Sequence, residues 1–102
     1  MNTRRVVVTG LGAVTPLGND MPATWRALLA AETGVGPITR FGHDDFPVHV
    51  ACEVKNFDPT VAIDPKEVRR TDPYEQFAMA AAQEAVAHSG LKIDADNADE
   101  IG

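Results

Sequence analysis

Residues 4–18 read RRVVVTGLGAVTPLG, and the reading of this stretch decides the fold. Arg5 to Thr9 is a β-branched run without polar alternation. Such a run suits a strand buried on both faces at the centre of an α/β sheet. Gly10 and Gly12 end it. A strand entering Gly-Leu-Gly can also open a nucleotide-binding loop, whose fingerprint is G-x-G-x-x-G set directly between strand and helix. Here Thr15 holds the third glycine position, Pro16 follows, and helix signals begin only near Asp20. An anion at Gly12 would not meet a helix N-terminus, which is the physical source of phosphate binding. There is no Gly-Lys-Ser/Thr P-loop, and no clear second strand ends in an acid that could hold a ribose. The expectation is a tight exit from a buried strand, with glycines for close backbone approach and positive φ.

Outward from this stretch, NDMPATWRALLAAETG (residues 19–34) predicts a helix. Asn19 or Asp20 can cap it, Pro22 fits the first turn, and Gly34 supplies a left-handed stop. Met21, Trp25, Leu28 and Leu29 share one face. GVGPITRFGHDDFP (34–47) reads as a Gly- and Pro-rich loop. In VHVACEV (48–54), Val48, Val50, Cys52 and Val54 alternate with His49, Ala51 and Glu53, predicting a half-buried strand with Cys52 on its apolar face. Two Asp-Pro-x-Glu boxes follow, at Asp64–Glu67 and Asp72–Glu75. In each, the Asp is expected to cap, the Pro to occupy the first helical position and the Glu to reach back to the cap amide. The first helix must be short. The second runs to Gly90, and its many alanines predict a helix deep inside a larger body, approached closely by its neighbours.

Composition bounds the function. A chain of 102 residues suffices for one small domain, and a net charge of −6 argues against general nucleic-acid binding. The single cysteine excludes an internal disulfide and fits a reducing cytoplasm. No apolar run approaches the roughly 20 residues of a membrane helix, and no signal-peptide pattern opens the chain. The chain reads as soluble and cytoplasmic. KIDADNADEIG (92–102) reads as a chain cut just before or inside a structural element.

A few side chains invite a chemical reading. Cys52 lies on the valine face of its strand, away from His49, and is expected to be a buried packing residue and not a nucleophile. His43, Asp44, Asp45, His49 and Cys52 lack the paired short spacings of a zinc site. His88 stands near the C-terminal end of the Ala-rich helix, where a positive charge suits the dipole, and reads as a cap. Lys66, Arg69 and Arg70 stand at i, i+3 and i+4, so on an α-helix they share a face. That face is either solvated surface or a dock for an acidic protein or a phosphate.

RRVVVTGLGAVTPLGN, TWRALLA, TGVGPITRF, KEVRRTDPYEQFAMAAAQEA and SGL, in this order, resemble the amino-terminal part of β-ketoacyl-acyl carrier protein synthases. The resemblance covers essentially the whole chain, residues 1–102, and is strongest to the type II elongating enzymes of bacterial fatty acid synthesis. It implies an α/β fold: the first part of the amino-terminal half of a thiolase-like α-β-α-β-α sandwich. Arg5 to Thr9 would be its first central strand, and the next strand would begin at Ile101-Gly102.

The implied reaction is a decarboxylative Claisen condensation in fatty acid elongation. It uses a cysteine and two histidines that lie beyond position 102, so no catalytic, cofactor-binding or metal residue is expected here. Substrates would ride on the phosphopantetheine of acyl carrier protein, without a separate cofactor, and the parent would be a cytoplasmic homodimer. Lys66, Arg69 and Arg70 match positions where related synthases contact the acidic helix of the carrier protein, with Val68 facing away. The alternatives are a polyketide ketosynthase or chain-length factor, and a non-catalytic carrier-protein-binding module.

Overall fold

The computed structural model describes residues 3–102. Helix α1 is Met21–Leu29. Asp20 caps it, accepting from the Ala23 amide at 2.8 Å, a bond worth about 1 kcal/mol. Its end differs from expectation. Ala31 takes the left-handed conformation (φ 54°), Glu32 N–H reaches Ala27 C=O at 3.0 Å and Ala31 N–H reaches Leu28 C=O at 3.1 Å. This is the paired-bond stop that glycine usually makes. Gly34 is not the stop; it instead lets the chain press against the Pro16 ring, 2.7 Å from where a Cβ would stand.

A short antiparallel pair follows, β1 (Val35–Pro37) with β2 (Val50–Cys52), in register Val35 to Cys52 and Pro37 to Val50. β1 falls inside the segment read as loop, and β2 is shorter than the predicted strand. Ile38 N–H extends the ladder to His49 C=O, and the Thr39 amide and hydroxyl clasp the Glu53 carboxylate at 3.1 and 2.7 Å. These bonds, the hydroxyl's above all, hold the Glu53 carboxyl below the ordinary glutamate range. The face assignment is reversed: Val50 and Cys52 are exposed and Ala51 is half-buried. Cys52 is therefore not a packing residue among the described residues. The face carrying Ala51 and Glu53 turns inward because Lys55 and Asn19 stitch it down. Lys55 Nζ donates to the carbonyls of Pro16, Gly34 and Glu53 at 3.0–3.3 Å, and Asn19 Nδ2 donates to those of Lys55 and Asn56.

A 3-10 turn at Pro59–Val61 leads to α2 (Pro65–Val68) and α3 (Pro73–Ser89). Asp64 caps α2 through the Lys66 amide at 2.9 Å. Asp72 makes no side-chain cap to α3, and neither Glu reaches back. Glu67 turns to Arg70 and Glu75 to the Tyr74 hydroxyl instead, so the two boxes start helices without closing reciprocally. Gln76 ties α3 to α2: buried, it donates to the Val68 and Thr71 carbonyls and the Thr71 hydroxyl. Phe77 meets Phe57 edge to face at 5.1 Å, both half-buried, and Ile63 is buried. Gly90 ends α3 with φ 71°, as its position predicts.

The buried strand expected at Arg5 to Thr9 is absent. Those residues pair with no other strand, and Val6, Val7 and Val8 are 92%, 71% and 78% exposed. An extended run becomes a strand only when a neighbour satisfies its amides and covers its side chains, and none of the described residues does so. The Ala-rich α3 is likewise covered on one face only, with Ala78, Ala82 and Ala87 exposed. The radius of gyration is 17.6 Å, against about 13 Å for a compact domain of this length. The accessible surface is 8294 Å², against about 5,600 Å² for a folded monomer of this mass. Exposed apolar side chains, Val6 to Val8 and Trp25 among them, contribute to the larger surface.

Candidate functional site

Two features combine named side chains with a definite geometry. The first is the crossing of residues 10–13 over α3. Ala81, Ala85 and Ser89 recur every four residues, so they line one stripe of the helix. Gly10 and Gly12 lie directly on it. A Cβ at Gly12 would fall inside the Ala81 carbonyl oxygen and 2.8 Å from Ala85 N, and one at Gly10 would strike the Ala85 carbonyl and stand 2.6 Å from Ser89 N. Close approach is thus the reason for these glycines. Positive φ is not, since Gly90 alone among the described glycines has it.

Glu84 and His88, one turn apart on α3, receive the amides of the crossing segment. Leu11 N–H donates to His88 Nδ1 at 3.0 Å, and Ala13 N–H donates to Glu84 Oε1 at 2.9 Å. The same carboxylate accepts from the first amide of α1, Met21 N–H, at 3.0 and 3.1 Å. One carboxylate therefore holds the glycine segment, the start of α1 and the middle of α3 together, with its charge at the positive end of α1. The Leu11 and Ala13 amides are thus engaged by α3 and not open to a phosphate. His88 Nδ1 accepts from Leu11, a contact that its place near the end of α3 did not suggest. Beyond Ala13 the chain closes a tight Thr15–Gly18 turn, where Thr15 Oγ1 lies 3.0 Å from Thr24 Oγ1. Leu11, Met21, Pro22, Trp25, Ala87 and His88 line an open groove of about 690 Å³ beside this junction, with Trp25 54% exposed.

The second feature is the basic turn. Lys66, Arg69 and Arg70 are all exposed, on or just after α2, which itself stops at Val68. Arg70 pairs with Glu67 at 3.6 Å. Among the described residues no acid lies within 4 Å of Lys66 or Arg69 in an ion pair. No hydrogen bond joins Cys52 to a histidine; His49 Nε2 contacts the Phe46 carbonyl and the His43 and His49 rings pack 4.9 Å apart. Among the described residues no helix is long and apolar enough to cross a membrane, and no three His, Cys, Asp or Glu residues are grouped to hold a metal.

The chain belongs to the β-ketoacyl synthase family: the model "Beta-ketoacyl synthase, N-terminal domain" matches residues 3–102. Among curated relatives, "3-oxoacyl-[acyl-carrier-protein] synthase 2" of Coxiella burnetii is 51% identical over 102 residues, all of this chain and 25% of that protein. The enzymes of the same name from Synechocystis sp. and Staphylococcus aureus are each 46% identical, over 102 and 99 residues, 24% of each protein. The solved structure titled "The ishigamide ketosynthase/chain length factor" superposes with a TM-score of 0.78 at 37% identity, covering 87% of this chain and 22% of that one. This chain thus spans about a quarter of the length of the relatives it matches.

Proposed function

We propose that this chain is the amino-terminal part of a 3-oxoacyl-acyl carrier protein synthase of fatty acid elongation. Within that enzyme it supplies scaffold and docking surface, and the reacting groups come from elsewhere in the parent. The observation that carries this reading is the 51% identity along the entire chain to a synthase of that name. The polyketide alternative rests on the weaker 37% likeness to a ketosynthase/chain length factor. A free-standing binding module fits poorly with the exposed Val6–Val8 run and the open groove beside Trp25, which together ask for cover.

In the reaction so implied, a cysteine takes the acyl group from its carrier as a thioester. Malonyl-acyl carrier protein loses carbon dioxide, and the carbanion left behind attacks the thioester carbonyl. The cysteine thiolate departs, leaving 3-oxoacyl-acyl carrier protein. The substrates travel on phosphopantetheine arms, no further cofactor is required, and the parent is read as a cytoplasmic homodimer. Cys52 suits none of these steps: it is exposed on the outward face of β2 without a histidine partner among the described residues. Lys66, Arg69 and Arg70 suit the carrier protein, because exposed cations steer an acidic partner more than they hold it.

The full-length protein is expected to convert radiolabelled malonyl-acyl carrier protein and an acyl-carrier primer into an elongated product, and the 102-residue chain alone to form none. Product from the chain alone contradicts the placement of the chemistry. No product from the full-length protein contradicts the activity.

A further inference from the structure

We propose that Glu67 attenuates carrier-protein docking by holding Arg70 out of the basic surface, an inference that rests on the docking reading above. The cations stand on and just after α2, whose ends carry short-span bonds. Glu67 N–H bonds Asp64 C=O at 2.8 Å, Arg70 N–H bonds Glu67 C=O at 2.9 Å, and Thr71 N–H reaches Val68 C=O at 3.4 Å. Bonds of this span are common at the two ends of an α-helix as short as Pro65–Val68. Glu67 and Arg70 stand three residues apart, a spacing at which side chains on a helix surface meet.

The Glu67 carboxylate lies 3.6 Å from the Arg70 guanidinium, with both side chains largely in solvent, 52% and 77% exposed. An acidic helix approaching the turn meets Lys66 and Arg69 free, Arg70 engaged, and one like charge of its own sign. An exposed pair of this kind is weak, so Glu67 tunes the contact and does not lock it. The occupant that the charges favour is an acidic protein face, since this turn concentrates cations in a chain whose net charge is −6.

The test titrates the full-length protein with purified holo-acyl carrier protein at about 20 mM and about 200 mM salt. Glu67→Gln is expected to tighten binding about two- to fourfold at the lower salt, with the gain fading at the higher. Arg70→Gln is expected to weaken binding less than Lys66→Gln or Arg69→Gln does. In the Arg70→Gln background, Glu67→Gln is expected to lose most of its gain. Unchanged affinity in Glu67→Gln, or the full gain retained without Arg70, overturns the inference and leaves docking intact. Lys66→Gln and Arg69→Gln proteins that bind as tightly as the parent remove the docking surface, and the inference with it.

Discussion

Gly12→Ala in the full-length protein is expected to lower the melting temperature by about 2–4 °C, the effect of overpacking by about 2–3 kcal/mol in a protein about four times the length of this chain. The cause is steric. The added methyl would collide with the Ala81 carbonyl, a backbone group inside α3 that has no rotamer by which to move aside. Either the crossing segment lifts off the alanine stripe, which stretches the Leu11–His88 and Ala13–Glu84 bonds, or α3 bends. Gly36→Ala is the matched control, because nothing lies within 4 Å of the position its Cβ would take. Differential scanning fluorimetry of both variants decides the matter. A Gly12→Ala protein that melts with the parent would show that the crossing is not tight.

Glu84→Ala is expected to cost about 3 kcal/mol, and Glu84→Gln about half as much. The carboxylate accepts from Ala13 and Met21 together, and its loss leaves two backbone donors at a junction half closed to water. It also removes a negative charge from the N-terminal end of α1. Glutamine keeps the shape but offers one carbonyl oxygen where two carboxylate oxygens worked. The readout that separates this from general destabilisation is local: hydrogen exchange at the Ala13 and Met21 amides should quicken about 100-fold in Glu84→Ala. Exchange at those two amides that stays at the parent's rate would contradict the junction.

Much of the local structure was legible because it depends on near neighbours. Asp20 with Pro22, Asp64 with Pro65, and Gly90 marked helix ends correctly, since a cap needs only a few adjacent residues. β1 was not legible, as Gly36 and Pro37 depress strand propensity and the pairing with β2 comes from residues fifteen or so positions away. Ala31 was missed as a helix stop because alanine rarely takes positive φ.

The reason for Gly10 and Gly12 was half legible. Close approach could be read from the glycines and the alanine-rich helix separately, but their meeting over Ala81 and Ala85 is a long-range register. Glu84 and His88 gave one signal that could have been used: two hydrogen-bond acceptors at i, i+4 beside a stripe of small residues on a helix that some backbone must cross. The valines at 6–8 show the opposite case. Their pattern describes an environment buried on both faces that the described residues do not provide. At the basic turn the three cations were readable from their spacing, while the pairing of Glu67 with Arg70 was not read.

Charge reversal separates a chain that presents an acidic carrier protein to a condensing enzyme from one that does not. Full-length protein carrying Lys66→Glu, Arg69→Glu and Arg70→Glu is assayed for its KM toward malonyl-acyl carrier protein across salt concentration. KM is expected to rise at least about tenfold at low ionic strength, because three exposed attractions become repulsions, and the difference to shrink as salt screens it. A KM equal to the parent's at low salt would mean that these cations do not receive the carrier protein.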